Sequence, residues 1–417
     1  MTTKVIFVSN LFPNPQEPLR ATYNKRLLTA LGALPEIDVS VIAPIYWFPL
    51  FDSLIRCRKK VPSNSATNRI PVNHPKVFYT PGMLIHHHWR FYQRSVSKVL
   101  KSLAKALSQE KERKIHVILG FAYPDAVAMA PVCEKLGLSY SVRINGSDFR
   151  IRIKQPKFRQ MVLNCLNQAP RIFCPGEQLK EDMVREGIDQ NKIVAFNNGV
   201  EKEVFFFREL EARSKELGDE GTSLTPRSKP KDSDDSSNLR SSILFVGNLV
   251  DVKAPERLLK SFGKFRQKEG HEYILSIIGS GPLQMSLEQL RDKLDLQDHV
   301  QFLGRQTPEN IAKYMRNASC LCLCSKSEGM PNVVVEALSC GCPVIATSVG
   351  EVPHLVKEGF NGYTVEQNSS SEERIIADFA YKLELMKTTS WNRKAIADTM
   401  SEYTWENAAN KILTAIQ

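Results

Sequence analysis

No apolar run among the 417 residues approaches the roughly 20 that a membrane-spanning helix requires. The first apolar stretch, residues 5–8, stops at Ser9 and Asn10. It is too short for the hydrophobic part of a signal peptide and reads as an opening strand. Cysteine occurs nine times, yet no two stand as C-x-x-C, which removes the commonest paired-thiolate metal and redox motifs. Cys320, Cys322 and Cys324 alternate along one strand-like segment without a histidine nearby, so they read as small core residues, not ligands. His86, His87 and His88 are consecutive and point in different directions on either a helix or a strand. No metal site is expected. These absences describe a reducing, cytoplasmic protein. The composition, 42% hydrophobic and 24% charged, is that of a globular chain long enough for two domains.

Charge is present but unevenly spread. Residues 1–207 carry 30 Lys and Arg against 16 Asp and Glu, a net of +14; residues 208–417 carry 26 against 29, a net of −3. A basic half suggests an anionic partner such as a phospholipid surface, a phosphorylated acceptor or nucleic acid. A merely soluble basic surface gives the same count. Residues 44–76 read as an insertion, with Trp47, Phe48, Leu50, Phe51 and Leu54 followed by Arg56, Arg58, Lys59 and Lys60. A second mixed patch runs from His86 through Trp89, Arg90, Phe91 and Tyr92 to Arg94. Aromatics beside a basic cluster suit an interfacial membrane contact, and core packing with a solvated face suits them equally.

The first half alternates strand-like runs (5–8, 39–43, 77–79, 115–119, 140–144, 172–174, 193–196) with helical patterns near 21–34, 87–109, 125–136, 156–168 and 177–187. Such alternation predicts a parallel sheet with helices on both faces. Residues 209–241 are charged, rich in Ser and Pro and nearly free of aromatics. They are expected to be a flexible insertion. A second strand–helix series starts at residue 243.

The densest stretch is 325–353. Strand-like alternation ends at Cys324, an apolar helical segment covers 333–338, and Gly341 and Pro343 precede the β-branched run 344–347. This is one βαβ unit. Glu328 falls in the loop at the carboxyl end of the first strand, where ligands of open α/β sheets bind. Gly329, Met330, Pro331, Asn332 and Val333 bring backbone N–H groups to a helix start, which suits an anion or a ring of hydroxyls. Glu336 lies further along the same helix. A carboxylate accepts several hydroxyl hydrogen bonds, so two of them can grip two rings of a sugar nucleotide. Alone, the spacing is a weak pattern: a loop Glu and a solvated Glu on a helix would give it too.

The full string EGMPNVVVEALSCGCPVIAT resembles the donor-site signature of retaining GT-B glycosyltransferases, the large family 4 group. The resemblance implies that Glu328 faces the transferred sugar and Glu336 the ribose. Gly247, Asn248 and Lys253 match the segment that in the family usually reads G-R-L-x-x-x-K-G and holds the diphosphate; here Asn248 replaces the Arg and Ala254 the second Gly. Gly279 and Gly281 follow a strand and permit close backbone approach. Arg305, after Gly304, matches the residue whose backbone meets the nucleobase. Asn145-Gly146-Ser147-Asp148 resembles H-G-x-D, with Asn145 at the His position, so no titrating side chain stands there. Arg20 and Ala21 occupy the place of the family's glycines in the loop after the first strand. Asn197-Asn198-Gly199-Val200 resembles the P-N-G-V that closes the first domain.

The resemblance implies an α/β GT-B fold, two Rossmann-like domains facing across a cleft: 1–207 on the acceptor side, 208–241 as linker, 242–398 for the donor, and a terminal helix in 399–417 packed back on the first domain. It implies glycosyl transfer of the hexosyltransferase type, with retention, from a nucleotide-diphosphate sugar, UDP-sugar foremost, to a glycan or lipid-linked acceptor. No metal or other cofactor is implied. Catalytic roles fall to Glu328, Asn145 and Asp148. Short strings, Ser9-Asn10-Leu11-Phe12-Pro13-Asn14 and Val246-Gly247-Asn248-Leu249, place the chain nearest to builders of envelope polysaccharides such as teichuronic acid. Peripheral contact with anionic membrane at the inner face of the plasma membrane, and no nucleic acid, complete the expectation. Two alternatives stay open. A GT-B-type sugar-nucleotide epimerase would bind the same donor without an acceptor. A basic membrane- or nucleic-acid-binding module would leave the two glutamates unexplained.

Overall fold

The computed structural model describes residues 2–14, 17–18, 20–47, 64–67, 70–80, 85–107, 114–208, 242–268, 272–367 and 371–417. The segment 209–241 lies outside the described residues, as do Phe48, Leu50, Phe51, Leu54, Arg56, Arg58, Lys59 and Lys60. Two compact units are present. One comprises Met1–Gly199, Glu328–Met330 and Tyr403–Gln417; the other comprises Val200–Ser327 and Pro331–Glu402.

The first unit contains β1 (Thr3–Val8), β2 (Ile37–Ile42), β3 (Ile45–Trp47), β4 (Asn64–Thr67), β5 (Ile70–Asn73), β6 (Lys76–Phe78), β7 (Lys114–Leu119), β8 (Ser139–Arg143), β9 (Ile172–Pro175) and β10 (Ile193–Phe196). Eight of them form one sheet in the order β10-β9-β8-β7-β1-β2-β5-β4, and β3 pairs with β6. Every pairing is parallel except β4 with β5. All six residues of β1 are buried, and residues 5–8 read as a continuous apolar run, not an alternation, because both faces are covered. One face takes Tyr92, Val96 and Leu100 of helix His88–Leu107, with Met129, Cys133, Phe158, Val162 and Leu166. The other takes Leu27, Leu28 and Leu31 of helix Thr22–Leu31, and Trp405, Ala408, Ala409, Ile412 and Ile416 of helix Trp405–Ile416. That last series has the spacing of a single helix face.

Residues 44–76 are therefore not wholly an insertion. They supply β3, β4 and β5. Within β5, Ile70 and Val72 are buried while Pro71 is exposed, the two-residue period of a strand with one face inward.

The second unit contains β11 (Ser242–Val246), β12 (Ile274–Ile278), β13 (Val300–Gly304), β14 (Cys320–Leu323), β15 (Val344–Thr347) and β16 (Gly362–Val365), in the order β13-β12-β11-β14-β15-β16. All these pairings are parallel. Counted within the unit the order is 3-2-1-4-5-6, the doubly wound arrangement of a dinucleotide-binding half-pair. Cys320, Cys322 and Cys324 are fully buried among Phe262, Phe265 and Leu258, so they fill core. The fold is α/β, with two Rossmann-like domains.

Candidate active site

In a 3-2-1-4-5-6 sheet the chain winds outward in both directions from the central strands. The crevice where it diverges lies beyond the carboxyl ends of strands 1 and 4, here β11 and β14. Gly247, Asn248 and Lys253 follow β11; Gly279 and Gly281 follow β12; Arg305 follows β13; Pro331, Asn332, Val333 and Glu336 follow β14. Ten residues singled out from the sequence thus come to one edge of one sheet.

Backbone contacts stitch these loops together. The Leu249 N–H donates to the Ser280 carbonyl at 3.1 Å, and the Lys326 N–H to the Val252 carbonyl at 2.8 Å. The Arg305 Nε donates to the Ser280 hydroxyl at 2.7 Å. Gly279 has φ +142, and a Cβ there would lie 1.8 Å from the Gly247 carbonyl oxygen. Only glycine fits, so this residue fixes the shape of the loop that carries Lys253. Lys253 is half-buried and Asn248 exposed. Lys326, which sequence reasoning passed over, reaches Asp251 at 2.6 Å. Helix Asn332–Ser339 begins at Pro331 without a side-chain cap, and its first N–H groups have no intrahelical acceptor. Glu336 is half-buried in its second turn.

Glu328, Gly329 and Met330 group with the first unit, together with Asn145 and Asp148. The Arg150 guanidinium, paired with Asp182 at 2.6 Å, donates to the Glu328 carbonyl oxygen. The Met330 sulfur accepts from the Asn198 N–H at 3.1 Å. The Asn145 side chain donates to the Gly120 carbonyl at 3.0 Å. Asp148 is 3% exposed. Its two carboxylate oxygens accept from the Asn145 N–H at 2.9 Å and the Ala122 N–H at 3.0 Å. Its work in the fold is to tie the ends of β7 and β8 together.

The same strand ends gather polar residues that the sequence did not advertise. Asp125 is fully buried, close to the Tyr92 and Ser9 hydroxyls and the Asn10 N–H, and burial pushes its carboxyl up to about 7. Asn10 donates to the Tyr46 hydroxyl at 3.2 Å. Arg143, also fully buried, donates to Asn24 and lies over the Tyr23 and Phe196 rings. Burial lowers its pKa to about 10. In the sequence, Asp125 looks like any acidic residue before a helix. Its burial depends on residues 33 to 116 positions away in the chain.

Residues 230–389 match the family model described as Glycosyl transferases group 1. The chain carries a glycosyl transferases group 1 domain. All ten second-unit residues named above fall within that match. An uncharacterized glycosyltransferase of Methanocaldococcus jannaschii is 26% identical over 287 residues, 69% of this chain and 70% of that protein. Among solved structures, the apo lipopolysaccharide outer core galactosyltransferase WaaB superposes with a TM-score of 0.66 at 17% identity, covering 99% of both chains. Anabaena Alr3699/HepE in complex with UDP gives 0.66 at 14% identity over 100% of both chains. At such identities the structural likeness bears on the fold.

Proposed function

We propose that this glycosyltransferase moves a sugar, with retention of anomeric configuration, from a nucleotide-diphosphate donor to a glycan or lipid-linked acceptor in envelope polysaccharide synthesis. The observation that carries the reading is the convergence of Gly247, Lys253, Gly279, Arg305 and the helix bearing Glu336 at the β11/β14 switch point. In this reading Lys253 and the start of helix Asn332–Ser339 meet the diphosphate, Glu336 the ribose and Glu328 the sugar. Arg305 presents its backbone to the base, alongside the close-packed glycines 279 and 281. Asn145 supplies hydrogen bonds and cannot relay a proton. The diphosphate leaving group takes up the acceptor proton. UDP is the favoured nucleotide because the similar HepE was solved with it. A role in envelope synthesis is favoured by the likeness to a lipopolysaccharide core galactosyltransferase.

Mass spectrometry after incubation with a panel of nucleotide sugars tests the donor. A UDP-sugar should be retained, and Lys253→Ala should weaken it at least tenfold, the loss expected for a charge-assisted bond of roughly 1.5–3 kcal/mol. Quantitative alteration of the sugar by the enzyme with donor alone would instead establish an epimerase. Equal retention by Lys253→Ala would remove the assigned diphosphate contact.

A further inference from the structure

Arg257 lies in the first turn of helix Pro255–Lys268, shortly after Lys253 in the chain. It is 5% exposed, so its guanidinium must find partners inside the fold. Nε and Nη2 donate to the two carboxylate oxygens of Glu372 at 2.7 and 2.8 Å. Glu372 opens helix Glu372–Thr388. Nη1 donates to the Gln367 side-chain oxygen at 2.7 Å and to the Cys324 carbonyl at 3.3 Å. The ion pair takes one edge of the guanidinium fork. The remaining donors go to Gln367 and to the chain as it leaves β14.

That segment is held residue by residue. The carbonyls of Cys324, Ser325 and Lys326 each accept from a side chain of a different part of the fold. The donors are Arg257, Thr347 at the end of β15 at 2.6 Å, and Gln367 beyond β16 at 2.6 Å. Thr347 is fully buried. Arg257 and Gln367 are themselves bonded, so they act as one brace. From the other side, the Lys326 N–H donates to the carbonyl of Val252, the residue before Lys253. The Arg257 backbone N–H closes on the Ala254 carbonyl at 3.0 Å. The turn carrying Lys253 is thus fastened to the segment after β14 twice, at Lys326 and through Arg257. Ala254, with φ 44, sits in a backbone region that L side chains seldom adopt. Such a conformation persists only where its surroundings over-determine it.

We propose that Arg257 is a positioning residue of the donor site. With Gln367 it braces the Lys253 turn against the segment after β14, and so sets where the Lys253 ammonium meets the diphosphate. The inference rests on the donor reading above and extends it to residues behind those that touch the ligand. Two features favour this role over a plain buried ion pair. Glu372 alone would satisfy a pair, yet Arg257 also serves the Gln367 and Cys324 oxygens. Lys253 is also the one cation in the stretch 247–254, because Asn248 stands where the resemblance expects Arg. A misplaced Lys253 therefore has no second cation in its turn to offset it.

Calorimetric titration with UDP, alongside thermal melting, tests this. Gln367→Ala removes the link to Lys326 and leaves the Arg257–Glu372 pair. Arg257→Lys keeps a cation beside Glu372 but lacks the planar fork that serves the Cys324 and Gln367 oxygens together. Both variants should bind UDP about fivefold or more weakly, part of the loss expected for Lys253→Ala. Gln367→Ala should melt like wild type, and it decides the matter should Arg257→Lys fail to fold. In a Lys253→Ala background either change should weaken UDP binding by less than about twofold, because residues acting through one contact are not additive. Unchanged UDP affinity in either folded variant, with or without a lower melting temperature, would leave Arg257 a merely structural residue and overturn the proposal. Full additivity with Lys253→Ala would overturn it as well. Absence of UDP binding by wild type would overturn the donor reading and this inference together. Wild-type binding that Lys253→Ala weakens and the other two variants do not would overturn this inference alone.

Discussion

Two carboxylates in this protein differ in what their surroundings make of them. Glu336 is half-buried on the second turn of helix Asn332–Ser339, near enough to solvent to meet a ligand. Glu336→Ala should weaken UDP-sugar binding at least tenfold by calorimetry, the loss expected when a charged acceptor of hydroxyl hydrogen bonds is removed. Unchanged affinity would contradict its place on the ribose. Asp125 is sealed in, and its carboxyl is pushed from 3.8 to about 7. Between those values the folded chain keeps a proton that the unfolded chain has released, so stability falls as pH rises through the window and levels off above it. The slope from this group is roughly 1.4 kcal/mol per pH unit within the window. Asp125→Asn holds no such proton, and urea unfolding of this variant at several pH values from 4 to 8 should lack this component. Identical slopes for wild type and variant would refute the assignment. Glu336 was legible in the sequence because a motif surrounds it. Asp125 was not, because its raised pKa comes from burial by other elements, which outweighs the opposing hydrogen bonds of Tyr92, Ser9 and Asn10.

At the level of elements, two turns hold alanine where the family resemblance expects glycine. Ala21 has φ 47 and Ala254 φ 44, so the left-handed backbone persists without the residue that suits it. An L side chain there costs roughly 1–2 kcal/mol. Ala21→Gly and Ala254→Gly should each therefore raise the denaturation midpoint, less the entropy that glycine adds to the unfolded chain. A fall in both midpoints would show that the methyl groups contribute more packing than the strain removes. The segment 209–241, outside the described residues, belongs to the same scale. Replacing it by a short Gly/Ser link should leave turnover intact, since the closure entropy of a loop changes slowly with its length. Lost activity in a variant that still folds would reveal a role for that segment.

For the whole molecule, the chain's last helix completes the first unit's core. Ile412 is 1% exposed and packs with Leu27, Leu28 and Leu31, residues nearly 400 positions earlier. Ile412→Ala should lower the stability of that unit by about 2–5 kcal/mol, a large share of the roughly 5–15 kcal/mol that holds a domain folded. Chemical denaturation followed by tryptophan fluorescence measures it, and a loss under about 0.5 kcal/mol would mean the helix adds little to that core. The sequence by itself determined the α/β alternation, the strands of both units other than β3, β4 and β5, and the loop residues that meet at the β11/β14 edge. Those features follow from local period, from glycine and proline placement and from motif, all of which act over a few residues. Only the tertiary structure decided that 64–73 extends the first sheet, that Asp148 ties two strand ends and that Arg143 finds Asn24 119 residues away. It also decided which face of helix His88–Leu107 is left in solvent. The physical reason is that side-chain periodicity marks a buried face without naming the surface that covers it. That choice is made by strand order and chain return, through contacts between residues far apart in sequence.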